Sequence, residues 1–163
     1  MAKISEITNI LIIDPAWSGP TGWLKSRLPH ESCGLYRWGT LKEKEAKTWS
    51  KRFDLLAGIG KLIIENTYMA KNVATYGKLE RAKMLWSQDA LDHFNFTEKD
   101  IIYVSPQTWQ SKLQRGWRPG KTKDIKQIEN YISQRWFNGS DPKLTEHEIS
   151  CFGMLTWWVD ERK

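Results

Sequence analysis

Two apolar runs in this chain lack the usual alternation of apolar and polar positions, and each ends in a carboxylate. Ile10-Leu11-Ile12-Ile13 leads into Asp14, and Leu62-Ile63-Ile64 leads into Glu65. Unbroken aliphatic runs of this length predict strands buried on both faces. An acid closing such a strand lies near the core, where an unpaired charge is costly. A divalent cation is one way to compensate it. Asp14-Pro15 and Glu65-Asn66 also suit simple turns, because Asp, Pro and Asn all favour them. Two acids on two buried strands favour a shared acidic site over two unrelated turns.

Around these runs the pattern predicts three strands, a helix, a strand, a helix, a strand and then further helices. The first strand covers residues 9–14, and two more cover 21–28 and 32–41, separated by Pro29. A helix over 41–58 carries apolar Trp49, Phe53, Leu56 and Ala57 and stops at Gly58 and Gly60. The second buried strand is 61–65, and the longest helix is 75–94, with Leu79, Ala82, Leu85, Trp86, Ala90 and Phe94 at helical spacing. Residues 101–104 form a short strand, 106–113 a helical turn, and 124–137 and 145–159 two final helices. Strands alternating with helices after an initial meander make an α/β sheet with helices on its faces. The helix 75–94 has more apolar positions than one buried face requires, Met84 and Leu91 among them. It is either a fully buried core helix or the contact of a two-fold homodimer.

Length and composition narrow the class. At 163 residues the chain suits one domain, 1–163, with a full-sized core. Its net charge of +6 and pI near 9.3 favour a polyanionic partner such as nucleic acid, although a merely basic protein has the same balance. Cys33 and Cys151 are far apart and lack metal-ligand spacing, which argues against a disulfide scaffold or a zinc site and fits a reducing compartment. No apolar stretch approaches a membrane span, and the first residues hold no apolar signal core, so a cytoplasmic protein without a membrane partner is expected.

A third acidic element lies on the last helix. Glu148 shares a face with Phe152, Leu155 and Val159, with Glu146 and His147 beside it. Thr145-Glu146-His147-Glu148 also matches a capping box, in which Thr145 caps the helix and Glu148 reaches back to the cap's amide. Magnesium takes few protein carboxylates, demands octahedral oxygen geometry and keeps positions for water and phosphate. Paired ions of this kind promote phosphodiester hydrolysis. Asp14, Glu65 and Glu148 are therefore the candidate metal ligands. His30 and His93 read as surface or helix-end histidines, and only His147 is close enough in sequence to be a ligand or base.

Several of these residues stand in familiar company. Ile12-Ile13-Asp14-Pro15, followed by Thr21-Gly22-Trp23, resembles the opening of the RuvC-type Holliday junction resolvases, roughly I-D-P-G and then T-G-aromatic. Ile64-Glu65-Asn66-Thr67-Tyr68-Met69-Ala70-Lys71-Asn72 resembles that family's I-E-x-x-F-M-A-K-N more closely. The resemblance implies a ribonuclease-H-like fold, with a mixed five-stranded sheet flanked by helices. It also implies a homodimer that nicks Holliday junctions and related branched DNA with Mg²⁺, Mn²⁺ being able to substitute. In that family Tyr68 matches an aromatic that stacks on bases near the junction, and Lys71 matches a basic residue beside DNA. Departures exist: Ala16 stands where glycine is usual, and the turn after Asp14 is one residue longer. The family's final helix carries two acids, or a histidine and an acid, three residues apart; Glu148 matches the second position and the first falls on Thr145, which leaves Glu146, His147 or neither as the fourth catalytic residue. The small size and these departures suit a phage member.

The loop 115–123 interleaves Arg115, Arg118, Lys121 and Lys123 with Trp117 and two glycines, the composition of a flexible phosphate-binding arm or of a solvated surface loop. Two other functions compete with the resolvase. One is a ribonuclease-H-like nuclease for RNA–DNA hybrids or flaps, which the Met69-Ala70-Lys71-Asn72 run disfavours. The other is a branched-DNA-binding protein without activity, which degenerate acids would mark, whereas Asp14, Glu65 and Glu148 are all carboxylates.

Overall fold

The computed structural model describes residues 8–28, 37–66, 72–114, 116 and 124–161. Its strands are Thr8–Asp14 (β1), Thr21–Leu28 (β2), Arg37–Leu41 (β3), Lys61–Glu65 (β4) and Ile101–Val104 (β5). They form one mixed sheet in the order β3-β2-β1-β4-β5. β2 runs antiparallel to both β1 and β3, while β4 runs parallel to β1 and β5. The helices are Glu43–Ala46 (α1), Trp49–Leu56 (α2), Val73–His93 (α3), Pro106–Leu113 (α4), Ile125–Trp136 (α5) and Glu146–Glu161 (α6). A mixed five-stranded sheet flanked by helices is thus what the sequence folds into.

The two unalternated runs occupy the centre of this sheet. Ile10 to Ile13 and Leu62 to Ile64 have no solvent exposure, because helices cover both faces. Ile10, Ile12 and Ile63 pack against α4, α5 and α6 through Trp109, Leu113, Ile128, Ile132, Phe152 and Leu155. Leu11, Ile13, Leu62 and Ile64 pack on the opposite side with Leu56 of α2 and Trp86 and Ala90 of α3. The alternation of side chains along a strand assigns Asp14 and Glu65 to the same face as Ile12 and Ile63, the α6 face.

Local chemistry moved several boundaries. The helix expected over 41–58 is two short helices, and Leu41 belongs to β3. Thr48 sits in an extended conformation, φ −88° and ψ 118°, and its hydroxyl donates to the Lys44 carbonyl at 2.8 Å, closing one helix before the next begins. α3 starts at Val73 rather than residue 75, because the Asn72 side chain accepts from the Ala74 amide at 2.8 Å. The expected turn at 106–113 is a full helix, with Ser105 as cap and Pro106 in the first turn, where its missing N–H costs nothing. Of the expected strand 32–41, residues 32–36 lie outside the described residues. Among the described residues no helix is long and apolar enough to cross a membrane.

Candidate functional site

One row of residues across the sheet places the site. Thr40 of β3 pairs with Gly22 of β2, and Gly22 pairs with Asp14 of β1. Asp14 follows the Ile13–Ile64 pair by one step and so stands beside Glu65 of β4, which pairs with Val104 of β5. Gly22 is the notch in this row. A Cβ there would lie 2.5 Å from the backbone oxygen of His147 and 2.6 Å from its carbonyl carbon. Only a missing side chain lets the start of α6 descend onto the strand ends.

That descent brings α6 onto the two strand acids. His147 Nδ1 lies 3.0 Å from Asp14 Oδ2. Glu148, one residue on, is buried to the same degree as Asp14, each retaining 8% exposure. Its carboxylate is engaged on both oxygens. Oε1 accepts from the Thr145 amide at 3.0 Å, while the Glu148 amide donates to Thr145 Oγ1 at 3.2 Å, which completes the capping box. Oε2 accepts from the Thr40 hydroxyl at 3.1 Å, and Thr40 Oγ1 is 3.0 Å from Thr145 Oγ1. In a consistent assignment Thr145 donates to Thr40, which donates to Glu148. The positive end of the α6 dipole adds to this preference for negative charge.

Glu65 is met from the other side. Trp109 of α4 donates its indole N–H to Glu65 Oε2 at 2.8 Å. Beneath the cluster, Cys151 donates to the Ile12 carbonyl at an S···O distance of 3.8 Å. Burial pushes the Cys151 thiol well above its ordinary pKa, and the charges of Asp14, Glu65 and Glu148 push it the same way. The thiol therefore stays protonated.

The structure brings Asp14, Glu65, Glu148 and His147 to one end of the sheet. Glu146 is exposed at the start of α6, and its neighbour His147, not Glu146, reaches Asp14. Tyr68, Lys71, Arg115, Arg118, Lys121 and Lys123 lie outside the described residues. Among the described residues, no group of three or more His, Cys, Asp or Glu side chains is arranged to hold a metal ion. Each of these carboxylates meets a protein polar group: His147 at Asp14, Trp109 at Glu65, and Thr40 and Thr145 at Glu148. Thr40 and Trp109 are site-building residues that the sequence patterns did not single out. Gly22 stands in the Thr21-Gly22-Trp23 motif and His147 beside Glu148, but nothing in the sequence signals that these two, 125 positions apart, meet.

No protein-family model matches the sequence, and no curated protein matches it. Solved structures do match the fold. The structure of RuvC from Thermus thermophilus in complex with a Holliday junction substrate has a TM-score of 0.64 and 10% identity, covering 92% of this chain and 92% of that one. A second Thermus thermophilus RuvC structure also gives 0.64 at 10% identity, covering 94% of this chain and 96% of that one. The chain thus has the ribonuclease-H-like fold seen in RuvC. At that identity the likeness concerns fold, and function rests on the site.

Proposed function

We propose that this chain is a metal-dependent endonuclease that nicks Holliday junctions and related branched DNA. The observation that supports the reading is that Asp14 and Glu65 close the adjacent strands β1 and β4, with Glu148 in the first turn of α6, the helix that packs on β1 and β2. Asp14 and Glu148 are nearly buried carboxylates, and buried charge is costly unless it is compensated. Their hard oxygen donors fit Mg²⁺ or Mn²⁺ in kind, and the fold is one that RuvC uses with a Holliday junction substrate. The net charge of +6 suits a DNA partner.

In this reading Asp14, Glu65 and Glu148 would hold a cation, whose chemistry there would be activation of a water and stabilisation of the leaving oxygen. The chain's own residues do the remaining work. His147 orients Asp14 through Nδ1, and Thr40 and Thr145 set the plane of the Glu148 carboxylate. Glu146, exposed one residue before His147, stands as the fourth catalytic candidate only if it swings over the helix start on DNA binding. Tyr68 is proposed to stack on a base at the branch, with Lys71 beside it. Arg115, Arg118, Lys121 and Lys123 are proposed to grip phosphates. A two-fold homodimer presents two such sites to a near two-fold junction.

One observation favours a second reading, a branched-DNA-binding protein that does not cut. The carboxylates already have protein partners, and among the described residues they form no ready-made metal nest. A single assay separates the two. The nuclease nicks a synthetic four-way junction in Mg²⁺ or Mn²⁺, not in EDTA, and leaves a linear duplex of the same sequence intact. Tight junction binding with no nicking in either metal would establish the second reading.

A further inference from the structure

Strands β2 and β3 gather positive charge on the side of the sheet away from the acids. Lys25 of β2 stands opposite Arg37 of β3 and, on its other side, opposite Leu11 of β1. Arg27 follows Lys25 by two residues, about 7 Å along the same face. The register puts all three on the face of Leu11 and Ile13, opposite that of Asp14 and Glu65. Lys25 Nζ agrees with this side, donating to the Asp54 carbonyl of α2 at 3.3 Å. Arg27 and Arg37 are exposed. Among the described residues, none of the three cations forms an ion pair with a carboxylate.

Like charges directly opposite on paired strands destabilise a sheet. Lys25 registers the strain: burial lowers its pKa most, the charge of Arg37 lowers it further, and Asp54 opposes them more weakly. Protection of a sheet edge accounts for Arg37, since β3 is an edge strand. It does not account for Lys25, which has a strand on each side. A row of unneutralised cations suits a linear polyanion, whose phosphates relieve the repulsion. We propose that Lys25, Arg27 and Arg37 form a DNA contact that holds the phosphate backbone of a duplex arm on the face of the sheet remote from the acids. This rests on the reading of the protein as one that binds branched DNA, and it requires no bound cation. Contacts of this kind fix position without reading sequence or branch shape.

The test measures fluorescence anisotropy in EDTA over a range of salt, with a synthetic four-way junction and a linear duplex as probes. It compares the full-length wild type with the double variant Arg27→Gln, Arg37→Gln. Each phosphate contact contributes about 0.9 to the slope of log affinity against log salt. The double variant should therefore have a slope shallower by about 2 and bind both DNAs about tenfold or more weakly at low salt. Relief of the Lys25–Arg37 repulsion should leave its urea midpoint equal to or above that of wild type. The pair Arg27→Lys, Arg37→Lys keeps the charges and should keep the wild-type slope; a slope as shallow as that of the glutamine variant overturns the proposal. Wild-type affinity and slope in the glutamine variant overturn this contact and leave the branched-DNA reading standing. Failure of the wild type to bind the junction overturns that reading, and this inference with it. If the glutamine variant does not fold, arginine-selective labelling of the wild type decides. The junction should shield Arg27 and Arg37, and labelling unchanged by DNA overturns the contact.

Discussion

The two faces of the sheet are covered by helices of opposite character. α6 buries ten of its sixteen residues, Glu148 among them, and lies across β1, β2 and β3. α3 is longer, at 21 residues, yet buries only Ala82, Trp86, Ser87 and Ala90. Its outer side leaves Met84 47% and Val73 84% exposed, so it is not a fully buried core helix. The α6 face is a locked assembly in which glycines admit a helix start and an indole onto a row of acids. The α3 face is one packed stripe with exposed apolar positions beside it. The candidate acids lie where burial fixes the side chains, and the exposed apolar positions lie on the other face.

Breaking the two faces in turn should give different symptoms, and the largest loss of stability belongs to the α3 side. Arg52 of α2 is buried, pairs with Asp89 of α3 and donates to the Ala46 carbonyl at 2.9 Å. Arg52→Ala should cost about 3 kcal/mol, because it strands a partly buried carboxylate. Urea unfolding measures the loss, and nicking per folded molecule should not change. Gly22→Ala acts on the other face. Overpacking against His147 should cost about 1–3 kcal/mol and lift α6 from Asp14, so metal-dependent nicking should fall more steeply than stability. A Gly22→Ala protein with normal nicking would show that the descent of α6 is not needed.

Smaller effects sharpen the same contrast. Thr145→Ala removes the cap of α6 and one link of the chain to Glu148, at about 1 kcal/mol. Its thermal midpoint should drop modestly while its Mn²⁺ requirement for nicking rises. Met84→Lys, at an exposed position, should change stability by less than about 0.5 kcal/mol. If α3 carries a dimer, sedimentation at micromolar concentration should move that variant toward monomer while the wild type stays dimeric.

The sequence made one face more readable than the other. Uninterrupted runs at 10–13 and 62–64 announced the central strands, since burial on both faces removes alternation. The acids that close them were visible for the same reason. Helical periodicity revealed α3, whose one-sided packing keeps a polar stripe, although the cap at Asn72 went unread. α6 shows little such contrast, because a helix apolar around most of its circumference loses its periodicity; the Thr145-to-Glu148 signature located its start. What stayed hidden depends on distant pairs. Nothing in the residues around 22, 40 or 109 says that they meet His147, Glu148 and Glu65. The pairing of His147 with Asp14 is likewise a consequence of helix placement.

The central claim is that Asp14, Glu65 and Glu148 form a cation-dependent cutting site for branched DNA, and Asp14→Asn tests it most directly. Nicking and binding of one synthetic four-way junction are measured side by side in Mg²⁺ for the wild type and Asp14→Asn. The substitution keeps the shape of the side chain but removes a charge that repels phosphate. The account predicts junction binding at least as tight as wild type, with nicking abolished. Near-normal nicking by Asp14→Asn would contradict it.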